Sequence, residues 1–203
     1  MTQILEARLP QSLACAAELL RRGEVIALPT DTVYGVAALA FNAEAVARIY
    51  QVKERPLDKA IPVFVPAVAD LALVCRDAPP LILPLLEKYW PGALTVILPV
   101  SPDLPGIVTN FGSTVAVRIP DHPVVRQLLA LVGEPLAATS ANISGRPNPQ
   151  TAAAVEAQLS GRIPLILDDG PTPSNLASTI LDATQWPPKV LRQGALEISD
   201  FGF

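Results

Sequence analysis

A chain of 203 residues, half of them hydrophobic and 17% charged, with a mean hydropathy of +0.38, has the apolar material for a packed core and is not a disordered polymer. Its net charge of −4 and pI near 5.0 exclude a protein that grips nucleic acid by bulk positive charge. No apolar run approaches the ~18–20 residues a spanning helix needs, and the greasiest stretch, Ala78 to Leu86, carries three prolines. The N-terminal MTQILEARLP sets Glu6, Arg8 and Pro10 where a secretion signal needs apolar residues, which predicts a cytoplasmic protein. The length favours one domain over residues 1–203.

In chain order, Ser12 to Arg22 reads as a helix with Gly23 at its C′ position, and Glu24 to Pro29 as a buried strand. Asn42 caps a helix running to about Val52, with Glu44 in its positive first turn. A strand over Ile61–Val65 precedes helical patterns at Val68–Val74 and Leu81–Tyr89. Strands follow at Leu94–Leu98 and Ser113–Ile119, then a helix at His122–Leu131 and a strand at Pro135–Thr139. Thr151–Leu159 is a helix with Gly161 just past it, and short strands close the chain at Leu165–Leu167, Ser178–Leu181 and Val190–Arg192. The alternation predicts a layered α/β domain with a mixed sheet. Cys15 and Cys75 stand in apolar contexts as buried thiols, and the single histidine, His122, opens a helix in Pro120-Asp121-His122-Pro123 and reads as structural.

Polar residues concentrate in four places. Pro29-Thr30-Asp31-Thr32-Val33-Tyr34-Gly35 follows a buried strand, where α/β proteins place ligands; it either lines a site or is an Asx turn built on Asp31. Lys53-Glu54-Arg55-Pro56-Leu57-Asp58-Lys59 gathers three cations behind a helix whose apolar stripe Val46, Ile49, Tyr50 leads to Lys53. That loop either binds phosphate or is a solvated turn. In Ser113 to Pro120, period two sets Val115, Val117 and Ile119 on one face and Thr114, Ala116 and Arg118 on the other. An arginine midway across a sheet needs a carboxylate or a ligand. Thr139 to Asn148 packs hydroxyls, amides and a glycine without a Walker A or G-x-G-x-x-G pattern. With no paired carboxylates and no nucleophile–base pair in view, these segments point to an anion-binding cleft that works by positioning and charge stabilisation.

PTDTVYG, K-x-R-P (Lys53, Arg55, Pro56), PGALT (Pro91–Thr95), VRIP, SANISGRPNP and the Ser178-Thr179 and Leu191-Arg192 segments, in this order, resemble the YrdC/TsaC family. The resemblance implies a YrdC/RibB-like three-layer α/β fold, a twisted mixed sheet curved around a central cavity with flanking helices. It also implies an L-threonylcarbamoyladenylate synthase, which joins L-threonine, bicarbonate and ATP into threonylcarbamoyl-AMP and pyrophosphate for t6A modification of tRNA. By similarity the catalytic signature falls on Lys53, Arg55, Ser140 and Asn142. Arg55, Lys59, Thr114, Ser140, Asn148 and Arg192 would contact ATP; Thr32, Arg118, Ala138 and Ser178 would surround threonine. Arg118 would take the threonine carboxylate, and Lys53, Arg55, Lys59 and Arg192 the triphosphate. Mg2+ would be held mainly by phosphate oxygens and no protein metal site is implied. A tRNA-modifying threonylcarbamoyl transferase would act downstream, with weak tRNA or double-stranded RNA binding as a further partner and no membrane. Relatives carry a histidine where this chain has Phe64, and the chain resembles the short form that lacks an appended domain. Two other readings share the resemblance: a carbamoyl-adenylate-forming enzyme of the kind found in hydrogenase maturation, and a double-stranded RNA or ribosome-binding module.

Overall fold

The computed structural model describes residues 1–197. Among them the strands are β1 (Gln3–Glu6), β2 (Ile26–Leu28), β3 (Gly35–Leu39), β4 (Val63–Phe64), β5 (Leu94–Pro99), β6 (Thr114–Arg118), β7 (Leu136–Ser140), β8 (Leu165–Asp168), β9 (Thr179–Asp182) and β10 (Lys189–Arg192). The helices are α1 (Pro10–Arg21), α2 (Ala43–Lys53), α3 (Leu71–Val74), α4 (Leu83–Tyr89), α5 (Pro123–Val132) and α6 (Ala152–Leu159). All ten described strands join one mixed sheet in the order β1-β8-β2-β3-β7-β4-β6-β5-β9-β10, the expected α/β architecture. Among the described residues no helix is long and apolar enough to cross a membrane.

Strict alternation sorts the strands' side chains to two faces. Ala27, Val36, Ala38, Ala137 and Ile166 face one core, together with Val96, Leu98, Val115 and Val117, under α2, α4 and α6. Ile26, Leu28, Ala37, Leu39, Leu136, Leu165 and Leu167 face the other, under α1 and α5. Those two helices reach only part of their face. Among the described residues none of β5, β6 or β9 belongs to the second core, and on this face their side chains line a cavity.

Local chemistry explains the helices. α1 begins at Pro10, whose missing N–H costs nothing in a first turn, and buries Leu13, Ala16, Ala17 and Leu20 at helical spacing. Asn42 caps α2 by accepting from the Ala45 N–H at 3.0 Å, and Thr151 does the same for α6 at 3.2 Å from Ala154. α5 stops at Gly133, which takes the left-handed φ of +73°.

β1 and β3 were not expected. β1 is short and mostly exposed, so its pattern carries little hydrophobic signal. β3 (GVAAL) is buried throughout and rich in alanine, which removes the alternation and the β-branched content that announce a strand. It forms an antiparallel hairpin with β2, so the PTDTVYG segment is the hairpin's loop. The helix expected over Val68–Val74 is a 3₁₀ turn running into the four-residue α3.

Leu128 on α5 is fully buried, and Leu131, three residues on, is 47% exposed. Leu128→Ala should lower unfolding free energy by about 2–5 kcal/mol, and Leu131→Ala by under about 0.5 kcal/mol. Denaturant midpoints with unchanged slopes check both.

Candidate active site

The free face lines a cavity of about 310 Å³, within the roughly 300–1,000 Å³ range of small-molecule sites. One row of paired residues crosses its floor. Phe64 pairs with Arg118 across β4–β6, Thr95 with Ile180 across β5–β9, and Ile180 with Arg192 across β9–β10. Extending the β5–β6 register one residue beyond Val96↔Val117 sets Thr95 opposite Arg118. The row therefore reads Phe64, Arg118, Thr95, Ile180, Arg192. Three strand spacings, about 14 Å of backbone, separate the two arginines.

Arg118 is 4% exposed and is fixed on three sides. Its Nε donates to the Gly92 carbonyl at 2.9 Å, Nη1 to Thr32 Oγ1 at 3.1 Å and Nη2 to Asp31 Oδ1 at 2.7 Å. Burial works against its charge and the Asp31 carboxylate restores it. A guanidinium has five N–H groups, so one remains on each terminal nitrogen. The Phe64 ring lies under it, 6.0 Å from the guanidinium carbon. Both sequence alternatives for Arg118 are thus partly realised: a carboxylate partner and a wall of the cavity. Asp31 does not build the Asx turn of the hairpin loop. Thr30 does that work, its Oγ1 accepting from the Thr32 and Val33 N–H groups at 3.1 and 3.2 Å, which releases Asp31 to Arg118.

Arg192 reaches the cavity through a β-bulge. Val190 pairs with Leu181 and Arg192 with Ile180, so Leu191 is the extra residue. In an unbroken ladder Leu191 would face the cavity and Arg192 would face away. The redirected guanidinium grips the Ser178 carbonyl with Nε and Nη2 at 3.2 and 2.7 Å. Burial, and after it the positive charge of Arg118, lower its proton affinity. Behind it Gly194 must be glycine: a Cβ there would stand 2.2 Å from the Ala177 carbonyl oxygen.

Arg55 lines the third side, its Nε and Nη2 on the Lys59 and Ala60 carbonyls at 3.3 and 2.9 Å; burial lowers its proton affinity. The helix before it ends at Lys53, one residue beyond the expected Val52, where Glu54 adopts a left-handed conformation at φ 51°.

Lys53 differs from expectation. It is 1% exposed and is not among the cavity's lining residues. Its ammonium donates to the Ser140 carbonyl, to the Asn142 carbonyl at 2.6 Å and to Asn142 Oδ1 at 3.4 Å, while its own carbonyl accepts from the Ser144 N–H at 2.8 Å. Burial, then Arg55, pull its pKa down to about 7. Asn142 likewise organises the loop: Oδ1 accepts from the Ser140 hydroxyl, and Nδ2 donates to the Ile143 and Arg146 carbonyls at 2.9 and 2.8 Å. Lys59 and Thr114 also stand outside the lining, at an exposed turn and at the start of β6.

The other expected residues converge. Thr32, Ser140, Asn148 and Ser178 line the cavity with the three arginines, and so does Ala138, whose N–H is taken by the Pro62 carbonyl at 2.8 Å. Thr95, which the sequence reading placed only in a motif, lies on the floor, its Oγ1 2.7 Å from Ser178 Oγ. Its signal was a polar residue out of phase with Leu94, Val96 and Leu98. Among the described residues the lining holds three arginines and no carboxylate. His122 stands outside it, Nε2 3.5 Å from Asp169. Cys75 is buried, as expected, but Cys15 is half-buried.

A family model for Sua5/YciO/YrdC, described as "Telomere recombination", matches residues 18–194. Threonylcarbamoyl-AMP synthase of Bacillus subtilis is 44% identical over 197 residues, 97% of this chain and 57% of that protein. The Pyrococcus abyssi protein of the same name is 40% identical over 185 residues, 91% and 54% respectively. A crystal structure of P. abyssi Sua5 complexed with L-threonine superposes with a TM-score of 0.92 at 38% identity, covering 97% of this chain and 58% of that one. The chain spans about half the length of these curated relatives. On the family match across most of its residues and on identities of this size, the chain belongs to the Sua5/YciO/YrdC family.

Proposed function

We propose that the chain forms threonylcarbamoyl-AMP and pyrophosphate from L-threonine, bicarbonate and ATP, supplying t6A modification of tRNA in the cytoplasm through a separate threonylcarbamoyl transferase. The observation that carries this reading is the cavity's charge: among the described residues its lining holds three guanidinium groups and no carboxylate, in a chain whose net charge is −4. A concave site of one sign focuses its field on anions, and the reaction brings together an amino-acid carboxylate, bicarbonate and a triphosphate. The relative solved with L-threonine supports the amino-acid half.

In this reading the two remaining N–H groups of Arg118 take the threonine carboxylate, beside Thr32 and Ser178. Arg192 and Arg55, with Ser140 and Asn148, take the nucleotide and its phosphates. Threonine's amine and bicarbonate condense to a carbamate and water. A carbamate oxygen attacks the α-phosphorus, the bond from that phosphorus to the oxygen bridging to the β-phosphorus breaks, and pyrophosphate leaves with the electron pair. The cations offset charge that gathers on the phosphoryl oxygens and the leaving group, and fixing two mutually repelling anions in line is the larger task. Mg2+ enters as MgATP. The lining offers hydroxyls and an amide but no carboxylate, which suits an ion that keeps phosphate and water ligands of its own.

Lys53 and Asn142 serve as positioning residues. They hold the loop that carries Ser140 and Asn148, and a neutral lysine amine still has two N–H groups for the two carbonyls.

The chain mixed with MgATP and bicarbonate should release pyrophosphate faster with L-threonine than without it; stimulation by carbamoyl phosphate alone would contradict the reading. Arg55→Ala should lower threonine-dependent release tenfold or more, about 1.4 kcal/mol for one charged contact, and undiminished release would contradict the role of Arg55.

Lys53→Met leaves two buried carbonyls unpaired and should cost about 1–3 kcal/mol for each in stability. Its pH dependence has a definite sign. The unfolded chain keeps the Lys53 proton to about 10.5 whereas the folded chain releases it near 7. Unfolding therefore takes up a proton between those values, and this side chain's contribution to stability rises with pH across that window. The wild-type advantage over Lys53→Met, followed by urea denaturation from pH 6 to 10, should grow; a constant difference would contradict the depressed pKa.

A further inference from the structure

PGALT (Pro91–Thr95) is the one motif of the sequence left without a role, and its threonine occupies the centre of the cavity floor. Thr95 is 2% exposed. On the row that crosses the sheet it is the single hydroxyl between Arg118 and Arg192. Its Oγ1 lies 2.7 Å from Ser178 Oγ. The two hydroxyls carry two protons, and only one can lie between the oxygens. Arg192 Nη2 stands 3.5 Å from Ser178 Oγ, facing one of that oxygen's lone pairs. The second hydroxyl proton lies outside the pair, and Thr95 and Ser178 both line the cavity. An anionic oxygen seated over the row would accept that proton as a charge-assisted hydrogen bond.

We infer that the Thr95–Ser178 hydroxyl pair is the subsite for the bicarbonate-derived carbamate, donating a hydrogen bond to the carbamate oxygen that does not attack phosphorus. This rests on the synthase reading above. With a carboxylate at Arg118 and phosphates at Arg192, the atoms joining them cross the row where Thr95 stands. Thr95 keeps its proton throughout: the carbamate's other oxygen forms the bond to the α-phosphorus as the bond to pyrophosphate breaks. Its contribution is to hold the carbamate so that one oxygen alone points at phosphorus. The Thr95 hydroxyl also meets Ser178 Oγ, and the carbonyl of Ser178 is held by Arg192. Thr95 therefore ties the amino-acid end of the cavity to its nucleotide end.

The test compares Thr95→Val, which keeps the shape, with Thr95→Ser, which keeps the hydroxyl. Pyrophosphate release is measured at saturating MgATP and threonine with bicarbonate varied, and threonine binding is measured separately by calorimetry. Thr95→Val should lower kcat tenfold or more, as expected for loss of a hydrogen bond to an anion, and raise the bicarbonate concentration at half-maximal rate, with threonine Kd within threefold of wild type. Thr95→Ser should recover most of the rate. Should Thr95→Val fail to fold, Thr95→Ala removes the same hydroxyl and is read identically. Wild-type kcat in the hydroxyl-free variant overturns the assignment. So does loss of threonine binding in step with turnover, which would reduce Thr95 to a scaffold for Ser178, and so does a Thr95→Ser rate as low as that of Thr95→Val. If the wild-type chain releases no pyrophosphate in response to threonine, the synthase reading itself falls and this subsite with it.

Discussion

Guanidinium groups repel one another, and Arg118 is near enough to Arg192 to lower the latter's proton affinity. The molecule nevertheless points both into one cavity and adds a third, Arg55, without lining that cavity with a carboxylate. Backbone carbonyls hold them there: Gly92 for Arg118, Ser178 for Arg192, Lys59 and Ala60 for Arg55. A carbonyl orients a guanidinium while leaving its full positive charge in place. Only Arg118, the most deeply buried, also receives a carboxylate, from Asp31. Arg55 and Arg192 thus bring to the cavity positive charge that no carboxylate among the described lining residues offsets, and anionic ligands would relieve it.

The sheet makes this arrangement affordable. α1 and α5 cover one half of their face, and the other half, on β5, β6 and β9, lines the cavity with Arg118 and Thr95 set among Ile97, Ala116 and Ile180. On the opposite face of the same strands Val96, Leu98, Val115 and Val117 pack into the larger core. That core fixes the strands, and period-two alternation then fixes which of their residues look into the cavity. The row from Phe64 to Arg192 follows from the register, so the spacing between the cationic ends is a property of the backbone, with little left to side-chain flexibility.

Much of this was legible in the sequence, and the failures have physical reasons. Arg118 could be assigned to the polar face of β6 because strict alternation with Val115 and Val117 leaves it nowhere else. Arg192 could not be oriented, because alternation fails at a bulge and nothing in Lys189-Val190-Leu191-Arg192 marks one. β3 was invisible because an alanine-rich strand buried on both faces has no period to read. Lys53 continues an apolar helical stripe, which correctly indicated burial; the stripe says nothing of what the ammonium meets, which here is two loop carbonyls and an amide oxygen. For Asp31 the sequence allowed a turn, and a neighbouring hydroxyl, Thr30, turned out to be the better turn former.

On the proposed function, one β-sheet row carries two separate anion subsites, an amino-acid end at Arg118 and a phosphate end at Arg192. Calorimetric titration of L-threonine and of Mg2+-pyrophosphate into the Arg118→Gln and Arg192→Gln variants tests it most directly. The account predicts that Arg118→Gln weakens threonine selectively, that Arg192→Gln weakens pyrophosphate selectively, and that the wild-type chain holds both ligands at once. Equal weakening of both ligands by either substitution, or mutual exclusion of the two ligands in the wild type, would contradict it.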